Sequence, residues 1–88
     1  MTAAFTKIDH VGIAVPDLDA AVATYAQLTG TEPKHRQRVE SDGIEAVMFE
    51  VGESRIELLG STRDDSKIAN FLSKRGGGLH HVAYGVDA

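Results

Sequence analysis

Ile8-Asp9-His10-Val11-Gly12-Ile13-Ala14-Val15 returns, with small changes, as Leu79-His80-His81-Val82-Ala83-Tyr84-Gly85-Val86. Aligned on His10 and His81, the two copies stand 71 residues apart, and Gly12 and Ala14 fall on Ala83 and Gly85. In a strand, side chains alternate between faces. His10, Gly12 and Ala14 therefore share one face, while Asp9, Val11, Ile13 and Val15 share the other. An imidazole beside two small residues makes a face that can line a ligand cleft. The Val/Ile face is the one to bury under a helix. Two copies predict two similar units framing one site.

Working outward from the first copy, Pro16-Asp17 ends the strand and offers a helix cap. Leu18, Ala21, Val22, Tyr25 and Leu28 follow helical spacing, and Gly30 is a natural residue just past the helix end. Three strand-like stretches come next. Lys34–Val39 is polar and expected at a sheet edge. Ser41-Asp42-Gly43 reads as a hairpin turn into Ile44–Val51, and Gly52-Glu53-Ser54 as a second turn into Arg55–Leu59. The order is β-α-β-β-β, an α+β unit whose sheet carries a helix on its buried face.

Gly60–Asp65 reads as a polar connection. Asp65 or Ser66 can cap a short helix with Ile68, Phe71 and Leu72 as its stripe, ended by Gly76-Gly77-Gly78. That glycine run follows a helix instead of opening one, so it reads as a flexible connector, not a phosphate cradle. The expected organisation is a complete unit over 1–60, a connecting helix and glycine-rich linker over 61–78, and the first strand of a second, incomplete unit over 79–88.

Composition narrows the functions. The 88 residues carry a formal charge of −4 and no cysteine. An acidic balance argues against a nucleic-acid binder. The one basic cluster, Lys34, His35, Arg36 and Arg38, reads as a solvated strand entry; the competing reading is a seat for an anionic substrate. Without cysteine there are no disulfides or thiolate metal sites, which fits a reducing cytoplasm. No apolar run approaches the ~20 residues of a membrane span. Met1–Thr6 has none of the features of a secretory signal.

His10, His81 and Glu57 are the residues with metal-binding chemistry. The histidines hold equivalent places in the repeat, and Glu57 stands in an otherwise apolar strand, on the face opposite Ile56 and Leu58. Two imidazoles and a carboxylate suit Zn, Co, Mn, Ni or Fe(II). His80 is expected on the face of Val82 and Tyr84, as a half-buried residue or a partner of a ligand. His35 reads as surface. If Ala46, Met48 and Glu50 share the cleft side, Glu50 is the general-base candidate. No nucleophile–histidine pair or phosphate loop is recognisable.

These residues resemble a known group. The β-α-β-β-β unit opening with Asp9-His10-Val11-Gly12-Ile13-Ala14-Val15 is similar to a vicinal oxygen chelate (glyoxalase/bleomycin-resistance) module. Ile56-Glu57-Leu58-Leu59, Asp65-Ser66-Lys67-Ile68-Ala69-Asn70-Phe71-Leu72 and Gly76-Gly77-Gly78-Leu79-His80-His81-Val82-Ala83 narrow the resemblance to the methylmalonyl-CoA epimerase family. It implies a divalent metal in a cleft between paired modules and metal-assisted proton transfer at C2 of an acyl-CoA. His10 matches the family's first ligand, His81 its ligand from the second half, and Glu57 a Gln or Glu ligand. The family's fourth ligand and late carboxylate have no counterpart in this chain, and Ala46 stands where some members have a basic Glu. A second chain is expected to complete the site, in a homodimer formed by edge pairing or by exchange of Leu79–Val86. The competing readings are a silent metal- or ligand-binding half-module that dimerises, and a glyoxalase-type lyase, against which the D-S-x-I-A-x-F-L segment argues.

Overall fold

The computed structural model describes residues 4–87. β1 (Phe5–Ala14) leads through α1 (Leu18–Thr29) to β2 (His35–Val39), β3 (Ile44–Val51) and β4 (Ser54–Ser61), then α2 (Lys67–Arg75) and β5 (Gly78–Val86). The five strands form one sheet in the order β2-β3-β4-β1-β5. β1 and β4 are parallel; every other neighbouring pair is antiparallel. A parallel pair needs a crossover connection, which α1 and the β2–β3 hairpin supply. The architecture is the expected α+β one, with β2 at an edge.

Asp17 caps α1 by accepting from the Ala20 amide at 3.1 Å, and Gly30 closes it at φ 70°. Leu18, Ala21, Val22, Tyr25 and Ala26 lie over Val47, Phe49 and Leu58, all three fully buried, with Ile13 and Val15 completing the layer. Leu28, expected in the stripe, is 74% exposed. Ala26 takes the last inward position, one turn after Val22.

The opposite face is covered at one end by α2. Ser66 caps this helix from the Ala69 amide at 2.9 Å, and its hydroxyl also meets that of Ser61 at 2.6 Å. Ile68 fills the space over Ala14 and Leu59, flanked by Phe71 and Leu72. β4 is thus buried on both faces, Leu58 under α1 and Leu59 under α2.

One local expectation is corrected, the end of β4, while the β2–β3 connection turns at Ser41-Asp42-Gly43 as expected, through one 3-10 turn over Glu40–Asp42 ended by Gly43 at φ 67°. The Arg63 guanidinium holds this turn by donating to the carbonyls of Glu40 and Ser41. β4 runs on through Gly60 and Ser61, which pair with Glu45 and Ile44. Gly76, Gly77 and Gly78 are all at positive φ and carry the chain from α2 into β5.

Candidate metal centre

The register between β1 and β5 explains why the two histidines meet. Val11 pairs with Val82, its own counterpart in the repeat; His10 pairs with Ala83, and Gly12 with His81. The antiparallel pair therefore has a local two-fold axis at Val11–Val82. His10 and His81 stand on one face, diagonally across that axis. Their Nε2 atoms are 3.2 Å apart, with the rings edge to face. β4 brings in the third group, because Glu57 lies beside Gly12 in the parallel register. Its Oε1 is 3.4 Å from His81 Nε2 and 3.7 Å from His10 Nε2.

These separations fit a metal. Two ligand atoms each ~2.1 Å from an ion sit about 3.0 Å apart at octahedral and about 3.4 Å at tetrahedral angles. The protonation chemistry is compatible with one. His10 Nδ1 lies 2.9 Å from Asp9 Oδ2. A carboxylate can only accept, so a neutral His10 ring carries its proton on Nδ1 and turns the Nε2 lone pair toward Glu57 and His81. A carboxylate and an imidazole lone pair facing each other are joined either by a metal ion or by a proton on the ring nitrogen.

Gly12 makes the arrangement possible. A Cβ there would run into the His81 ring, its Nε2 only 2.6 Å away. The small-residue face is therefore not a bare cleft: His81 fills the space over Gly12, and Ile68 that beside Ala14.

Alternation puts Asp9 on the helix face, and the structure corrects this. The β1–β5 register breaks between Ile8 and His10, leaving Asp9 without a cross-strand partner. Its carboxylate meets both His10 Nδ1 and the Arg55 guanidinium. Those two contacts, His10 first, hold the Asp9 carboxyl below the usual carboxylate range. Asp9 and Arg55 are site residues that sequence reasoning missed; the adjacency of Asp9 to His10 was the available signal. Of the two readings of His80, the structure places it as a neighbour of a candidate ligand: it is exposed, not half-buried, and its ring lies against His81 and Phe71.

Other candidates stay apart from the cluster. Glu50 shares the face of Met48 and Glu57 by register, but is exposed near the end of β3. His35 is exposed on β2, as expected. Two cations of the basic stretch are paired: Arg36 binds Glu45 at 2.6 Å and Asp19 at 3.0 Å, and Arg38 reaches Glu40 and Glu45. Its solvated reading holds. Grooves flank α2, not the His-Glu-His group; one, of about 740 Å³, is lined by Phe71, Lys74, Arg75, Gly77 and Leu79.

A mixed sheet with two histidines and a glutamate converging at a repeat axis defines the class. The chain belongs to the glyoxalase/bleomycin resistance protein/dioxygenase superfamily, whose model matches residues 9–88. Within it, the chain is similar to methylmalonyl-CoA epimerases. It is 38% identical over 82 residues to the human mitochondrial enzyme, spanning 92% of this chain and 47% of that one. Against the ethylmalonyl-CoA/methylmalonyl-CoA epimerase of Cereibacter sphaeroides the figures are 39% identity, 92% and 61%. The crystal structure of the Mycobacterium tuberculosis methylmalonyl-CoA epimerase superposes with a TM-score of 0.87 at 36% identity, covering all of this chain and 60% of that one. A methylmalonyl-CoA epimerase in complex with methylmalonyl-CoA and NH4+ gives 0.82 at 40% identity, covering 91% and 60%. The chain spans about half to three-fifths of the length of these relatives.

Proposed function

We propose that this chain provides the His10–Glu57–His81 part of a metal-dependent epimerase acting at C2 of methylmalonyl-CoA. The observation that carries the reading is the convergence of these three ligand atoms, all within 4.8 Å of one another, in a chain similar to methylmalonyl-CoA epimerases. A bound divalent cation supplies positive charge against the oxyanion that develops as an α-proton leaves. Asp9 fixes the His10 ring, and Glu57 offsets part of the ion's charge. Glu50 is the proton acceptor on this side. Ala46, where the family resemblance puts a basic Glu, is half-buried against the cluster under α2 and offers no acid–base group.

The opposite face of the substrate is served by a second unit against the outer edge of β5, which residues 79–88 begin. A second copy of the chain is the proposed occupant, docked there or exchanging β5 about the Gly76–Gly78 turn. The lack of cysteine fits a reducing compartment such as the cytoplasm. No helix is long and apolar enough to cross a membrane among the described residues.

The test is deuterium incorporation at C2 of methylmalonyl-CoA in D2O, with the chain loaded with Co(II) or Mn(II). Exchange with inversion is expected, and Glu50→Gln lowers its rate by about 10²-fold or more with metal binding intact. Metal binding without exchange would overturn the epimerase reading in favour of the silent half-module. The observation favouring that second reading is Ala46 itself.

A further inference from the structure

Two of the three register breaks in the β1–β5 ladder are a matched pair; the third lies at Phe5/Lys7, toward the start of β1. Of the pair, one leaves Asp9 unpaired, between the couples Ile8–Tyr84 and His10–Ala83; the other leaves His80 unpaired, between Gly12–His81 and Ile13–Leu79. Asp9 and His80 occupy equivalent places, each directly before a cluster histidine and two residues before the valine on the axis. On a regular strand, the residue before a histidine points to the opposite face. A bulge re-aims it. Asp9 Oδ2 then lies 2.9 Å from His10 Nδ1, and His80 Nδ1 lies 2.9 Å from His81 Nδ1.

We infer that Asp9 and His80 are paired positioning residues: each bulge turns one side chain onto the Nδ1 of the neighbouring histidine and thereby fixes its Nε2 for a metal. The inference rests on the His10–Glu57–His81 reading of the metal site, and extends it to two residues outside the ligand set. For His81 to offer an Nε2 lone pair, its ring must carry a proton on Nδ1, which then donates to the Nδ1 lone pair of His80. His80 is itself held by Phe71 of α2, rings edge to face at 5.0 Å, as Asp9 is held by Arg55. The two halves use different chemistry. Asp9 adds negative charge behind His10 and strengthens it as a donor; His80 sets the tautomer of His81 without adding charge.

The test is Co(II) titration of the full chain, followed by calorimetry and by visible absorption of the bound ion, with the melting of the metal-free chain measured beside it. Asp9→Ala and His80→Ala are each expected to weaken Co(II) binding about 10–100-fold and to alter the absorption band. Melting of metal-free His80→Ala should match the parent, since His80 is exposed. His80→Asn, which keeps an acceptor near the Nδ1 position, should bind within about threefold of the parent. Parent-like affinity and spectrum in His80→Ala would overturn the pairing and leave the metal site standing. If the parent itself binds no Co(II), the metal reading falls, and this inference with it.

Discussion

Gly12 carries more of the site than its missing side chain implies. The His81 imidazole lies over its backbone, and the register that pairs the two residues also brings Glu57 alongside. Gly12→Ala keeps the strand, since β1 uses ordinary extended backbone at this position, but pushes His81 away from His10 and Glu57. The expected outcome is an ordinary far-ultraviolet circular dichroism spectrum with at least about tenfold weaker Co(II) binding. Unchanged affinity would mean that His81 does not bind from above Gly12. The hydrogen bond from His10 to Asp9 makes a related point: a neighbour one residue away decides which ring nitrogen can face a metal.

At the scale of elements, α2 limits the site. Its Ile68 seals the sheet at Ala14 and Leu59, and its Phe71 meets His80, so core packing and site geometry share one helix. Ile68→Ala removes a side chain only 2% exposed and should cost about 2–5 kcal/mol in urea unfolding. A loss under about 1 kcal/mol would show that α2 packs less closely than described. The far end of α2 carries charge. Lys74 and Arg75 border the groove with Phe71 and Leu79, and Arg75 lies over the Phe71 ring at 5.9 Å. If the proposed acyl-CoA substrate runs along this groove, these two cations meet its phosphates. Lys74→Glu with Arg75→Glu should raise KM for methylmalonyl-CoA about tenfold and leave kcat within about twofold; an equal loss in kcat would point to damage to the metal centre instead.

Element by element, the order of strands and helices was legible because β1 alternates, α1 and α2 carry helical stripes, and turn residues bound β3 and β4. His10, His81 and Glu57 were legible because each stands on the expected face. Asp9 was not, and for His80 a partnership with a ligand is expected but not the bulge that aims it. A bulge adds one residue to one strand of a pair, and nothing in a single strand's alternation records what its partner does.

At the scale of the whole molecule, the β1–β5 ladder forms an exposed wing. The radius of gyration is 14.0 Å, against about 12 Å for a compact domain of this length. Phe5, Ile8, Leu79, Tyr84 and Val86 all lie on this ladder and are all exposed, with Phe5 and Tyr84 stacked at 4.3 Å. β5 is an edge strand with no partner on its outer side among the described residues. A long apolar edge without Pro and without an inward-facing charge is a pairing surface. The two-fold at Val11–Val82 indicates which side is open: β4 already occupies the outer side of β1, and the corresponding side of β5 is free. If a second copy docks there, Leu79→Lys with Val86→Lys should convert a dimer to a monomer in native mass spectrometry, since two buried ammonium groups on an apolar edge have no partners to offset their desolvation. Both residues flank the His81 segment without entering the His-Glu-His group, so the monomer should still take up one Co(II) per chain. A parent chain that is already monomeric would remove the second copy as the completing unit, whatever its metal content.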